Sequence, residues 1–123
     1  MRQACEESNE ISLDLKELFV RVEYDRELLD DIFNIFKSEF PRLRQSLREA
    51  VDCRDMEQVQ LNAHALKGML ASISFRAASA AAMRMERFAR SADLASLSAE
   101  MVRMEQDAMV SQADLEQFCA RAA

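Results

Sequence analysis

From Leu13 onward, apolar residues recur at steps of three and four, the spacing that collects them on one side of an α-helix. The first such stretch is short, from about Leu13 to Val22, with Leu15, Leu18, Phe19 and Val22 on one side. Tyr24-Asp25 breaks it, and Asp25 is placed to cap the next helix with its carboxylate. That helix is predicted from about Arg26 to Cys53. Phe33, Phe40 and Leu47 repeat every seven residues, as do Leu29, Phe36, Leu43 and Ala50, which makes an a/d seam for lengthwise packing. Pro41 falls inside it. Proline removes a backbone donor and bends a helix at a cost of about 3 kcal/mol. The seam nevertheless runs on unbroken, so one bent helix is expected rather than two.

Asp55 and Gln58 outline a capping box, and a helix is predicted from about Met56 to Ile73. Its inward positions are Met56, Val59, Ala63, Leu66, Leu70 and Ile73. Ser72-Ile73-Ser74 is expected to end it and to cap its successor, since serine favours N-cap positions. The next helix spans about Arg76 to Arg90, where Ala78, Ala81 and Ala82 give a small apolar side beside Met85, Phe88 and Ala89. After Ser91-Ala92, Asp93 starts a last helix from about Leu94 to Ala120. Its seam is Leu94, Leu97, Met101, Met104, Ala108, Leu115 and Phe118, interrupted only by Ser111. Four long helices with short connections predict an all-α fold, an antiparallel up-down-up-down four-helix bundle. The short extra N-terminal helix is expected across one end as a lid. Residues 1–10 are polar and expected to be a flexible N-terminus, with the bundle domain over 11–123.

Composition narrows the picture. One Gly and one Pro leave almost no turn chemistry for a β protein. A net charge of -6 argues against nucleic acid as the main partner, which would need a basic stripe. No apolar run reaches the roughly 18 residues of a membrane helix. The N-terminus also lacks the apolar core of a signal peptide. A cytoplasmic protein with no membrane partner is therefore expected. Cys5, Cys53 and Cys119 match no zinc spacing and read as free thiols. The bundle closes its own core, so a monomer is expected.

His64 is the only histidine. One imidazole does not make a metal site, and the repeated Glu-x-x-His pairs of a di-metal bundle are missing, so no metal is expected. Helical geometry puts His64 roughly 130° from the mean direction of the inward residues, Lys67 roughly 70°, Gly68 roughly 170° and Ala71 roughly 110°. His64 is thus predicted on the outer face, flanked by Lys67, Gly68 and Ala71. A glycine inside a helix costs about 1 kcal/mol relative to alanine. Here the chain's only glycine sits one turn from His64 and clears room for another protein. Leu61 and Ala71 add a modest apolar docking patch.

An imidazole is largely unprotonated at neutral pH. Its Nε2 lone pair can attack a phosphoryl group when the proton sits on Nδ1. Lys67 would offset the phosphoryl charge. The following helix offers Arg84, Glu86, Arg87 and Arg90 as neighbours for His64, and periodicity does not choose among them. There is no glycine-rich loop and so no ATP site of the chain's own.

The segment His64-Ala65-Leu66-Lys67-Gly68 resembles the His-x-x-Lys-Gly signature of histidine-containing phosphotransfer (HPt) domains. The run from Ile35 to Pro41 resembles the family's preceding helix, and Met85-Glu86 resembles its common Leu-Glu pair. The resemblance covers about Leu13 to Phe118. It implies a phosphorelay intermediate of two-component signal transduction. His64 would accept a phosphoryl group and pass it to or from an aspartate of a response-regulator receiver domain. Lys67 would stabilise the phosphoryl charge, and Gly68 would keep the approach clear. The resemblance also implies that Glu86, 22 residues after the histidine, bonds Nδ1, and that Arg90 stands near the site as a further cation.

Receiver domains are the implied partners, with a hybrid sensor histidine kinase as a further candidate. The chain would be a carrier rather than an enzyme and hold no cofactor, the Mg²⁺ belonging to the receiver. Met69 stands where a small residue is usual, and Ser74 where glycine is frequent. Neither removes a reacting group, but both bear on the docking rim and the helix turn. The alternative is a non-phosphorylated helical interaction module that binds a signalling partner through the His64 face.

Overall fold

The computed structural model describes residues 13–122, and every regular element within them is a helix. The expected flexible segment 1–10 lies outside the described residues, as does Cys5. The helices are α1 (Leu13–Arg21), α2 (Arg26–Asp52), α3 (Met56–Ser72), α4 (Arg76–Arg90) and α5 (Leu94–Ala122). Their ends fall within about two residues of the predicted ones. Helix α2 runs through Pro41 as one element, as its unbroken seam predicted.

The long helices pack each against the next, and α2 also meets α5. Both heptad series of α2 point inward: Leu29, Phe33, Phe36, Phe40, Leu47 and Ala50 are buried, and Leu43 is half-buried. Ala78, Ala81 and Ala82 are fully enclosed, and these small side chains let α4 lie close to α3. Leu66 and Leu70 of α3 and Leu97, Met104 and Leu115 of α5 are also sealed from solvent. Truncating any of these leucines to alanine would cost about 2–5 kcal/mol.

The four connections close in the same way, although the α1–α2 connection has a second left-handed residue, Tyr24 (φ 59°). Each helix is followed by a residue in the left-handed region: Glu23 (φ 56°), Arg54 (57°), Ser74 (61°) and Ala92 (55°). In each, the next N–H reaches back to a helical carbonyl: Tyr24 to Phe19, Asp55 to Ala50, Phe75 to Leu70 and Asp93 to Phe88. This is the Schellman closure, which glycine usually occupies. None of the four is glycine, although a left-handed residue with a side chain costs about 1–2 kcal/mol. Asp25, Asp55 and Asp93 then cap α2, α3 and α5, accepting from the N–H groups of Leu28 (3.1 Å), Gln58 (3.2 Å) and Ser96 (3.1 Å).

Helix α4 departs from that pattern and corrects the expectation of a serine cap. Its N-cap is Phe75, which makes no side-chain cap bond. The Phe75 ring is buried instead and stands edge-on to Phe36 at 5.0 Å. Burying such a ring is worth about 1.5–3 kcal/mol. A cap is worth about 1 kcal/mol, so the core wins the position. Ser74 is the left-handed residue of the turn, and its buried hydroxyl makes no hydrogen bond.

Cys53 is exposed and Cys119 half-buried; both are free thiols. Burial pushes the Cys119 thiol above its ordinary value. Among the described residues, no helix is long and apolar enough to cross a membrane.

Candidate functional site

The site forms where α3 and α4 run side by side. Val59, Ala63, Leu66 and Leu70 fix the inward face of α3, so the residues between them must turn outward. The His64 side chain is accordingly 66% exposed. Met85 and Ala89 bury the opposing face of α4, which carries Glu86 along the seam toward α3.

Of the candidates that periodicity left open, Glu86 is the one that meets the imidazole. Its Oε2 lies 3.2 Å from His64 Nδ1, and its Oε1 accepts from Lys67 Nζ at 3.3 Å. Arg90, one turn on, approaches Oε2 at 3.7 Å. Arg84 points away and pairs with Glu100 of α5 at 3.0 Å. The Glu86 side chain is 16% exposed. Burial raises its carboxyl, but Lys67 and His64 together outweigh burial and hold it below the ordinary glutamate value of 4.5. The carboxylate is therefore charged at neutral pH, and a proton on Nδ1 has an anionic acceptor. Such an acceptor can favour the tautomer in which Nε2 carries the lone pair.

Leu61, Gly68 and Ala71 lie on the same outer face of α3, and all three are exposed. A Cβ built on Gly68 meets no heavy atom within 4 Å, and its φ is not positive. The fold thus gives no internal reason for glycine here. The chain's only glycine is absent from every turn that would favour it and stands in mid-helix beside the histidine.

Three further residues hold this region, and the sequence offered no signal for them. The Ser79 hydroxyl of α4 donates to the Lys67 carbonyl at 3.0 Å. Arg21 Nη1 of α1 donates to the Ala71 carbonyl at 2.8 Å and the Ser72 carbonyl at 3.3 Å. Asp14 of α1 accepts from the Arg76 N–H at 3.4 Å. Each contact joins separate helices, and no single-helix pattern encodes it.

A family model described as "Hpt domain" matches residues 31–122, most of the chain. No curated protein and no solved structure matches it. The chain therefore belongs to the Hpt domain family, helical bundles that carry phosphoryl groups on histidine in two-component signalling. Members of that family interact with response regulators and kinases in phosphorelays.

Proposed function

We propose that His64 is the phosphoryl-accepting residue, and that the chain is a phosphorelay intermediate working with the aspartate of a response-regulator receiver domain. The observation that carries this reading is the exposed imidazole tied through Nδ1 to Glu86 at 3.2 Å, beside a glycine with open space above it. The bundle is read as antiparallel up-down-up-down over α2–α5, with 11–123 as one domain and the monomer as the working unit.

In the forward step, Nε2 attacks the phosphorus of a receiver's aspartyl phosphate. The new P–N bond forms as the acyl P–O bond breaks, and the aspartate leaves as carboxylate with the bonding pair. The Nδ1 proton stays in place, so the product ring is cationic and Glu86 offsets its charge. The incoming phosphoryl oxygens compete with Glu86 for Lys67 and Arg90, which supply positive charge on the approach side. The reverse step returns the group to a receiver. The chain needs no cofactor of its own in this scheme, since the Mg²⁺ sits in the receiver's acidic site. Leu61, Gly68 and Ala71 form the surface the receiver covers.

The test is phosphoryl transfer from a labelled receiver domain to the wild type and to His64→Gln. We expect acid-labile, alkali-stable label on the wild type only, with unchanged helical circular dichroism in the variant. Label retained on His64→Gln would remove the site assignment.

A further inference from the structure

The α3–α4 connection is the one whose following helix has no side-chain cap, where Asp25, Asp55 and Asp93 cap the others. Like α2, helix α3 also has no basic residue in its own last turn. The missing partners come from α1. Asp14 accepts from the Arg76 N–H at the start of α4, and Glu17 pairs with the Arg76 guanidinium at 3.6 Å. Arg21 donates to the last-turn carbonyls of Ala71 and Ser72 at the end of α3. This is where a cation best meets a helix C-terminus.

Buried Leu18 and Val22 seat α1, and Phe19 stands edge-on to Phe118 of α5 at 5.0 Å. A cavity of about 90 Å³, with Leu15, Leu18, Ile73 and Ser74 among its walls, lies beneath it. The polar bonds therefore hold α1 against the connection where packing is incomplete. All of α1 lies upstream of the family match at 31–122.

We infer that α1 is a clasp on the α3–α4 connection, and that Arg21 and Asp14 are positioning residues for the His64 site. The inference rests on His64 as the phosphoryl acceptor. His64 and Glu86 stand on different helices, so their contact depends on the angle between α3 and α4. Arg21 grips α3 seven residues past His64, about 10 Å along the axis, and Asp14 grips α4 ten residues before Glu86, about 15 Å away. A swing of about 5° at the connection moves Glu86 by roughly 1 Å over that lever. That displacement is enough to part Nδ1 from a carboxylate oxygen 3.2 Å away. Misplacement on that scale costs up to about 100-fold in rate. The Ser79 bond to the Lys67 carbonyl is a second tie nearer the site. Loss of the clasp therefore loosens the pair without releasing it.

The experiment compares wild type, Arg21→Gln and the conservative Arg21→Lys in the full chain. Imidazole ¹⁵N shifts of His64 in the unphosphorylated protein report the Nδ1–H tautomer. Single-turnover transfer from the receiver domain that labels the wild type fastest gives the saturated rate and the half-saturating concentration separately. Thermal melts give stability. We expect Arg21→Gln to move the His64 shifts toward those of free imidazole. The saturated rate should fall about 3–10-fold at unchanged half-saturation, and Arg21→Lys should restore most of both.

A lower Tm with neither site readout altered would make α1 a stability element and overturn the inference. A change in half-saturation alone would make α1 part of the docking surface and overturn it too. If the wild type accepts no phosphoryl group from any receiver, the phosphotransfer reading fails, while the ¹⁵N shifts still decide the clasp. Should Arg21→Gln not fold, Asp14→Ala is put through the same measurements.

Discussion

Glu86 and Glu105 are built alike and used differently. Each side chain is 16% exposed, and each bridges its own helix to a neighbour through basic groups. Glu105 of α5 holds Arg48 and, at 4.0 Å, Arg44, both from α2. Glu86 of α4 holds Lys67 and His64, both from α3. Glu100 repeats the theme with Arg84 and Arg103. A half-buried carboxylate gripping basic side chains is thus this bundle's ordinary seam brace. At the α3–α4 seam one grip is an exposed imidazole, and the helix beside it is opened by Gly68. On the proposed reading, the difference teaches that the site is a structural brace in which one partner is the nucleophile and glycine clears its approach.

After His64 itself, Gly68 gives the sharpest way to break the comparison. Gly68→Gln should cut phosphoryl transfer by about tenfold or more, because its side chain stands where a partner must approach. Gly68→Ala should raise stability by about 1 kcal/mol in urea melts, because the added methyl meets nothing and helix propensity improves. Unchanged transfer by the glutamine variant would mean that partners approach from another face.

A paired substitution sharpens it. Glu86→Ala and Glu105→Ala should each lower stability by about 0.5–1 kcal/mol, as half-exposed ion pairs do. Only Glu86→Ala should slow transfer, by about 3–30-fold, through loss of the Nδ1 acceptor. Equal transfer rates in the two variants would reduce Glu86 to a brace like its counterpart.

The smallest effect is in the pH dependence. The Glu86 carboxyl is held below its ordinary 4.5, so the folded state binds its proton less readily than the unfolded chain. Its contribution to stability is then fully present above 4.5 and is lost as pH falls through the lower folded value. Wild type and Glu86→Gln should differ in urea melts above pH 4.5 and converge as the pH falls through the lower folded value. A gap that persisted in acid would have to come from something other than the charge.

The sequence by itself determined the helices, their inward seams and the outward direction of His64. Each of these is a property of one helix, written at a fixed angle per residue, and burial of the apolar stripe then fixes which side faces out. Heptads running through Pro41 were enough to make α2 continuous, and aspartates before α2, α3 and α5 were enough to place their starts. Serine failed as the cap of α4 because Phe75 gains more from the core than the helix loses at its end, a balance visible only once Phe36 stands opposite.

Periodicity left open which of Arg84, Glu86, Arg87 and Arg90 meets His64, and only the family resemblance singled out Glu86, since contact between helices depends on their relative rotation and axial offset. Only the packed structure sets those two quantities. It turned Glu86 toward the imidazole, sent Arg84 to Glu100, and brought Asp14 and Arg21 from a short helix onto a turn 50 to 62 residues away.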